Sequence, residues 1–146
     1  MNVEIQINGE YKTPKAIILT DRVTEEITAA AARLSEDAPQ VIAGFKDDVL
    51  RIIRQEELIR VYAGGGRVYA ATGEGEFVLR QRLYEMEERL DGGQFVRISN
   101  SEIINLKMAK EFDLSLAGTI CVRMTNGTTA YVSRRYVSKI KKILGI

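Results

Sequence analysis

Histidine is absent from the 146 residues, and cysteine occurs once, as Cys121. Without histidine there is no Ser-His or Cys-His nucleophilic dyad, and the commonest metal ligand is missing. General acid–base work at neutral pH would fall to a tuned Glu or Lys. One cysteine allows neither an internal disulfide nor a multi-cysteine zinc site. Long apolar runs are also lacking: the longest, such as Ala16–Leu19 and Ala29–Ala32, fall far short of the ~20 residues that span a bilayer. The first residues, Met-Asn-Val-Glu-Ile, do not have the basic-then-apolar layout of a signal peptide. A cytoplasmic protein is expected, with no metal, no cofactor and no small-molecule substrate. A strong overall charge is absent too, since the net value is +1. Its distribution is uneven. Residues 91–146 hold nine Lys/Arg against four Asp/Glu, while residues 1–43 hold four against seven. A basic C-terminal third on an otherwise acidic chain points to a polyanion as partner.

The apolar share is 45%, enough for a core. Val3, Ile5 and Ile7 alternate with polar residues, which is the period of a half-buried strand. Asn8-Gly9 offers a turn, and Ala16–Leu19 reads as a second strand. Asp21 is placed to cap a helix carrying Glu25 and Glu26 in its first turn. The helix has an apolar stripe of Val23, Ile27, Ala30, Ala31 and Leu34, and Pro39 stops it. Residues 1–40 therefore read as a strand–strand–helix extension, too small to bury its own faces and so expected to serve as an oligomerisation or regulatory element. From Val41 short strands take over. Val41–Phe45 and Val49–Arg54 flank Lys46-Asp47-Asp48, where the two carboxylates read as a solvated turn rather than as metal ligands. Leu58–Tyr62 and Val68–Ala71 bracket a glycine run, Gly64-Gly65-Gly66. That run lacks the Gly-Lys-Ser/Thr ending of a phosphate loop and precedes no helix, so it reads as a flexible loop. Leu79, Leu83, Met86 and Leu90 make a helical stripe ended by Gly92-Gly93. Asn126-Gly127 marks a hairpin between Ile120–Thr125 and Thr128–Ser133. Cys121 is out of phase with Ile120, Val122 and Met124 and reads as structural. A final helix points Val137, Ile140 and Leu144 inward and Lys139, Lys141 and Lys142 outward.

Three segments carry more than periodicity. They are Phe95-Val96-Arg97-Ile98-Ser99-Asn100-Ser101 with the following Glu102-Ile103-Ile104-Asn105, the Asn126-Gly127 hairpin, and Tyr131-Val132-Ser133-Arg134-Arg135-Tyr136. In order and spacing they resemble the LytTR family of bacterial DNA-binding domains. The likeness covers roughly residues 41–146. It implies a mostly β (α+β), elongated domain with short helices, which presents loops to successive major grooves of duplex DNA, usually at direct repeats. Arg67, Asn100 and Arg135 fall where the family places base-reading side chains. Arg97, Ser99, Ser101, Arg134, Tyr136 and Lys139 fall where backbone contacts are expected. Ser99 stands where the family usually has histidine; a hydroxyl can still bond a phosphate oxygen. Arginine reads guanine at O6 and N7, asparagine reads adenine at N6 and N7, and lysines neutralise phosphate.

Many such domains follow a phosphorylated receiver, which needs about 100 residues or more, so the first 40 cannot form one. The chain is similar instead to stand-alone family members. These are often encoded beside a small membrane protein, which becomes a candidate partner together with a second copy in a homodimer. The rival reading is a β-rich protein-interaction or ligand-sensing module with an incidental basic face. A hydrolase or transferase has no nucleophile motif to rest on. RNA binding is disfavoured because Tyr62, Tyr69 and Tyr131 make no stacking motif.

Overall fold

In a computed structural model that describes residues 1–34 and 41–146, the chain divides into two units, 1–38 and 39–146. The first unit holds one helix, α1 (Glu25–Leu34). Thr24 caps it, its Oγ1 accepting the Ile27 N–H at 3.3 Å, so the cap is Thr24 and not Asp21. The stop expected at Pro39 lies outside the described residues. The turn at Asn8-Gly9 forms, with the Tyr11 N–H donating to the Asn8 carbonyl at 3.1 Å. The two strands expected around it do not form among the described residues. Val3, Ile5 and Ile7 alternate as a strand would, but alternation specifies a face and not a partner. An isolated pair of short strands is marginal in water. These side chains stay exposed, as do Ile17, Leu19 and Val23, and α1 buries no residue.

The second unit is built on antiparallel pairing. Its elements are β1 (Val41–Lys46), β2 (Val49–Arg54), β3 (Leu58–Gly64), β4 (Arg67–Thr72), β5 (Gly75–Leu79), α2 (Leu83–Arg89), β6 (Phe95–Ser99), β7 (Glu102–Asn105), β8 (Ala109–Asp113), β9 (Ile120–Met124), β10 (Thr129–Val132) and α3 (Arg134–Leu144). A seven-stranded sheet runs in the order β2-β1-β5-β4-β3-β7-β6, and β10-β9-β8 make a three-stranded sheet. The large sheet is covered on one face along its length and on both faces only at its β3-β7-β6 end. One face, with Ile42, Ile53, Val61, Phe77 and Ile103, packs on Leu83, Met86 and Leu90 of the α2 segment. The other, with Ile59, Val96, Ile98 and Ile104, packs on β9, β10 and Ile140 of α3. Neighbours such as Ile103 and Ile104 thus serve opposite cores, because successive strand residues point to opposite faces. Gly44 has a steric reason: a Cβ there would lie 2.6 Å from Ile53 Cδ1 and 2.7 Å from Phe77 Cβ.

Leu79 belongs to β5 rather than to the helix its spacing suggested, and α2 begins at Leu83. Strand β8 was not foreseen, since Lys110, Glu111 and Asp113 interrupt its apolar pattern. Asn105 is fully buried and satisfied on both sides. Its Nδ2 donates to the Leu58 carbonyl at 2.8 Å and its Oδ1 accepts the Lys107 N–H at 3.0 Å.

Candidate nucleic-acid interface

Two backbone hydrogen bonds gather three segments that are far apart in sequence. The Ala63 N–H donates to the Ser101 carbonyl at 2.8 Å, joining the β3–β4 turn to the β6–β7 turn. The Ser133 N–H donates to the Ile98 carbonyl at 2.9 Å, joining the start of α3 to the same β6–β7 turn. The second bond has a cause in the strand. Pairing of β6 with β7 shifts register between Arg97 and Ser99. The bulge leaves Ile98 out of the ladder, and its carbonyl is free to accept from α3. The Ser133 hydroxyl leans on the same carbonyl at 3.4 Å and makes no cap bond to its own helix. All three segments expected to contact DNA therefore meet at one end of the large sheet.

The glycine run is not a flexible loop. Gly64 faces Arg67 across a two-residue turn, and Gly65 and Gly66 have φ of +57° and +78°. Both values lie where side chains other than glycine are strained, as a tight twisted hairpin requires. Arg67 is thereby fixed as the first residue of β4, with its side chain exposed.

In the β6–β7 turn Ser99 faces Glu102, so Asn100 and Ser101 are the turn residues. Ser99 Oγ accepts the Ser101 N–H at 3.2 Å and lies 3.3 Å from Ser101 Oγ. Asn100 is exposed. Arg97 is not. Its side chain is 13% exposed, and its guanidinium donates to Glu87 Oε2, the Ser99 carbonyl and the Asn100 carbonyl, each at 2.6 Å. It ties the turn to α2. Beside the turn, Glu102 meets Arg60 at 3.2 Å in a pair of half-buried side chains. Burial raises the Glu102 carboxyl above its ordinary range, against the pull of Arg60. Arg60 also lies over the Tyr62 ring, 4.2 Å from its centre. Burial and a 2.6 Å hydrogen bond to Glu76 push the Tyr62 hydroxyl up to about 12. Tyr62 and Tyr69 stack on each other at 5.2 Å, a pairing the sequence did not reveal. With Arg60 over its ring and Tyr69 stacked on it, Tyr62 is engaged within the sheet. Tyr131 is exposed and lies on a separate sheet, in β10.

On α3, Arg134, Arg135 and Lys139 are exposed, and the helix has no acidic residue. Residues 135, 139 and 142 recur at helical spacing and form one basic stripe. Tyr136, Val137 and Leu144 pack on the second core with buried Ile140, which fixes the helix's rotation. The Arg134 guanidinium lies against Gly118, and the Arg135 guanidinium lies 5.8 Å from the Tyr136 ring centre. Sequence reasoning missed Arg60, Glu87 and Glu102. Glu102 could have been suspected from its place directly after the turn; Arg60 and Glu87 become neighbours only through the pairing.

The family model for the LytTr DNA-binding domain matches residues 48–145. The chain belongs to the LytTR family. Uncharacterized HTH-type transcriptional regulators of Staphylococcus aureus are similar over their whole length. The protein of strain MSSA476 is 34% identical over 147 residues, covering 100% of this chain and 99% of the relative. That of strain MRSA252 is 33% identical with the same coverage. Among solved structures, a LytTr DNA-binding domain from Bacillus cereus superposes with a TM-score of 0.72 at 24% identity, over 74% of this chain and 99% of that one, which supports the same fold. The relatives' name speaks of a helix–turn–helix. In this LytTR chain α2 and α3 are separated by β6 to β10, and the exposed side chains of Arg67, Asn100 and Arg135 sit at a strand start, on a turn and at a helix start.

Proposed function

We propose that this chain, a DNA-binding transcription regulator of the LytTR family, reads duplex DNA with the three segments gathered at the end of its large sheet. The observation that carries the reading is the pair of bonds, Ala63 to Ser101 and Ser133 to Ile98, which hold Arg67, Asn100 and Arg135 on one end of the fold. In this reading the β3–β4 turn, the β6–β7 turn and the start of α3 enter successive major grooves, at direct repeats. Arg67, Asn100 and Arg135 read bases. Ser99, Ser101, Arg134, Tyr136 and Lys139 hold the backbone. Arg97 is a positioning residue, because its donors already serve the turn and Glu87. The reading assigns no catalytic step, cofactor or small-molecule substrate. No helix among the described residues is long and apolar enough to cross a membrane, and the action proposed is cytoplasmic, where the DNA is. Residues 1–34 leave apolar side chains exposed, which supports a regulatory role completed by a partner, a small membrane protein being the one the family resemblance suggests.

Fluorescence anisotropy over a salt series, with a duplex selected from a random pool and a scrambled one, tests the reading. Arg135→Ala should cost about 1–3 kcal/mol on the selected duplex and narrow its advantage over the scrambled one. Lys139→Ala should keep that advantage and reduce the slope of log affinity against log salt by about 0.9. If both variants change ratio and slope in the same proportion, the roles are misassigned. If the wild type retains no duplex at low salt, the interaction-module reading replaces this one.

A further inference from the structure

β2 is an edge of the seven-stranded sheet, at the side opposite β7 and β6. Such edges are normally guarded by charges or prolines. Here Val49, Leu50 and Ile52 are 66%, 53% and 63% exposed. On one face Leu50 adjoins Phe45 and Ile52 adjoins Ala43, so the apolar surface is two strands wide. Val49 faces Lys46 across a two-residue turn. Ladder alternation then gives residues 49, 51 and 53 to β1 and directs the N–H and C=O groups of Leu50 and Ile52 off the sheet. The next outward N–H, that of Arg54, is already held by Glu57 Oε2 at 2.8 Å. The open stretch is therefore short and bounded.

We propose that the chain self-associates by pairing β2 antiparallel with β2 of a second copy, about a two-fold axis at Arg51. In this register Leu50 faces the partner's Ile52, and Ile52 faces the partner's Leu50. Asp48 faces the partner's Arg54 at each end. Four aliphatic side chains are flanked by two opposite-charge pairs, and the four outward backbone groups of each copy find partners. Residues must shift by two to keep faces matched. One such shift sets Leu50 against the partner's Arg54, and the other sets Asp48 against the partner's Ile52, so the sequence selects the first register. The two Arg51 side chains meet on the opposite face, where each is engaged by Glu74 and lies over the Phe77 ring at 5.3 Å. The proposal does not depend on the DNA reading. The axis inverts one copy relative to the other, so on direct repeats this pair is the form off DNA.

So small an interface associates weakly, and sedimentation velocity of the full chain should extend to about 100 μM. The wild type should move from monomer to dimer across that range. Ile52→Lys should weaken association about tenfold or more, since a charge then faces an aliphatic residue at both symmetric positions. Asp48→Arg and Arg54→Asp should each weaken it, and the double exchange should restore it. Ile5→Lys, in the N-terminal unit, should leave it unchanged. A wild type that stays monomeric, an Ile52→Lys chain that still dimerises, a double exchange that fails to restore, or dissociation by Ile5→Lys alone overturns the proposal.

Discussion

Replacing Arg97 separates two roles that its sequence position left together. If it is a phosphate contact, its charge matters; if it positions the turn, its geometry matters. The guanidinium holds three acceptors, Glu87 Oε2 and the Ser99 and Asn100 carbonyls, each at 2.6 Å. Charge-assisted bonds contribute about 1.5–3 kcal/mol each when nothing replaces them. Here water replaces much of that, because the Glu87 side chain is 43% exposed and Asn100 lies on an exposed turn. Arg97→Met should therefore lower stability by about 1–3 kcal/mol in total. The freed turn must then be ordered on DNA. Fixing one residue's backbone costs about 1–2 kcal/mol, which corresponds to roughly a 5- to 30-fold loss of affinity for the selected duplex.

The salt slope decides between the roles. A lost phosphate contact reduces it by about 0.9, whereas a loosened turn leaves it unchanged. Arg97→Lys sharpens the test. Lysine keeps the charge but presents a single ammonium, which cannot span three acceptors as the planar fork does. A positioning role predicts that lysine fails to restore affinity or melting temperature. Restored affinity in Arg97→Lys, together with a slope reduced in Arg97→Met, would refute the reasoning.

The buried amide makes a second case. Asn105→Leu should destabilise by about 1–3 kcal/mol in chemical denaturation, because the Leu58 carbonyl loses its 2.8 Å donor inside the core. Replacing Gly65 and Gly66 together by alanine should cost about 1–2 kcal/mol per residue for left-handed backbone, and should weaken DNA binding through Arg67. An Asn-Gly pair there should retain both properties. The Glu102 carboxyl titrates above its ordinary value of 4.5, so the folded state holds a proton that the unfolded state releases. Its contribution is fully present below 4.5 and is lost as pH rises through the folded value. The stability difference between wild type and Glu102→Gln should therefore move against the wild type as pH rises through that window, and a flat difference would contradict the assignment.

What could be read from the chain follows from the range over which each feature is determined. Strand β9 was legible because Ile120, Val122 and Met124 alternate, and all three are buried. Gly127, at φ +86°, supplies the turn that its dipeptide promised. The rotation of α3 was legible because its apolar spacing decides it. The N-terminal strands were misread by the same logic, since Val3, Ile5 and Ile7 have the period of a strand and nothing to pair with. The opposite error fell on the glycines. Two positive-φ residues between paired strands make a tight two-residue turn, and only the register of β3 on β4 distinguishes that from a longer loop.

The gathering of the site lies beyond any local pattern. It needs β3 to pair with β7, so that Ala63 meets Ser101, and it needs a bulge at Ile98, so that one carbonyl leaves the ladder and receives the start of α3. Ile98 illustrates how tightly these demands are coupled. Its side chain is fully buried in the second core while its carbonyl anchors Ser133, so core packing and site geometry are set by one residue. Arg97, one residue earlier, closes the turn from the other face of the strand. In the proposed reading, the exposed side chains of Asn100 and Arg135 can therefore vary with the DNA, whereas the register at residues 97 to 99 cannot vary without moving all three gathered segments at once. The residues that fix the arrangement of these segments most strictly are Arg97 and Ile98, whose side chains are already engaged within the fold.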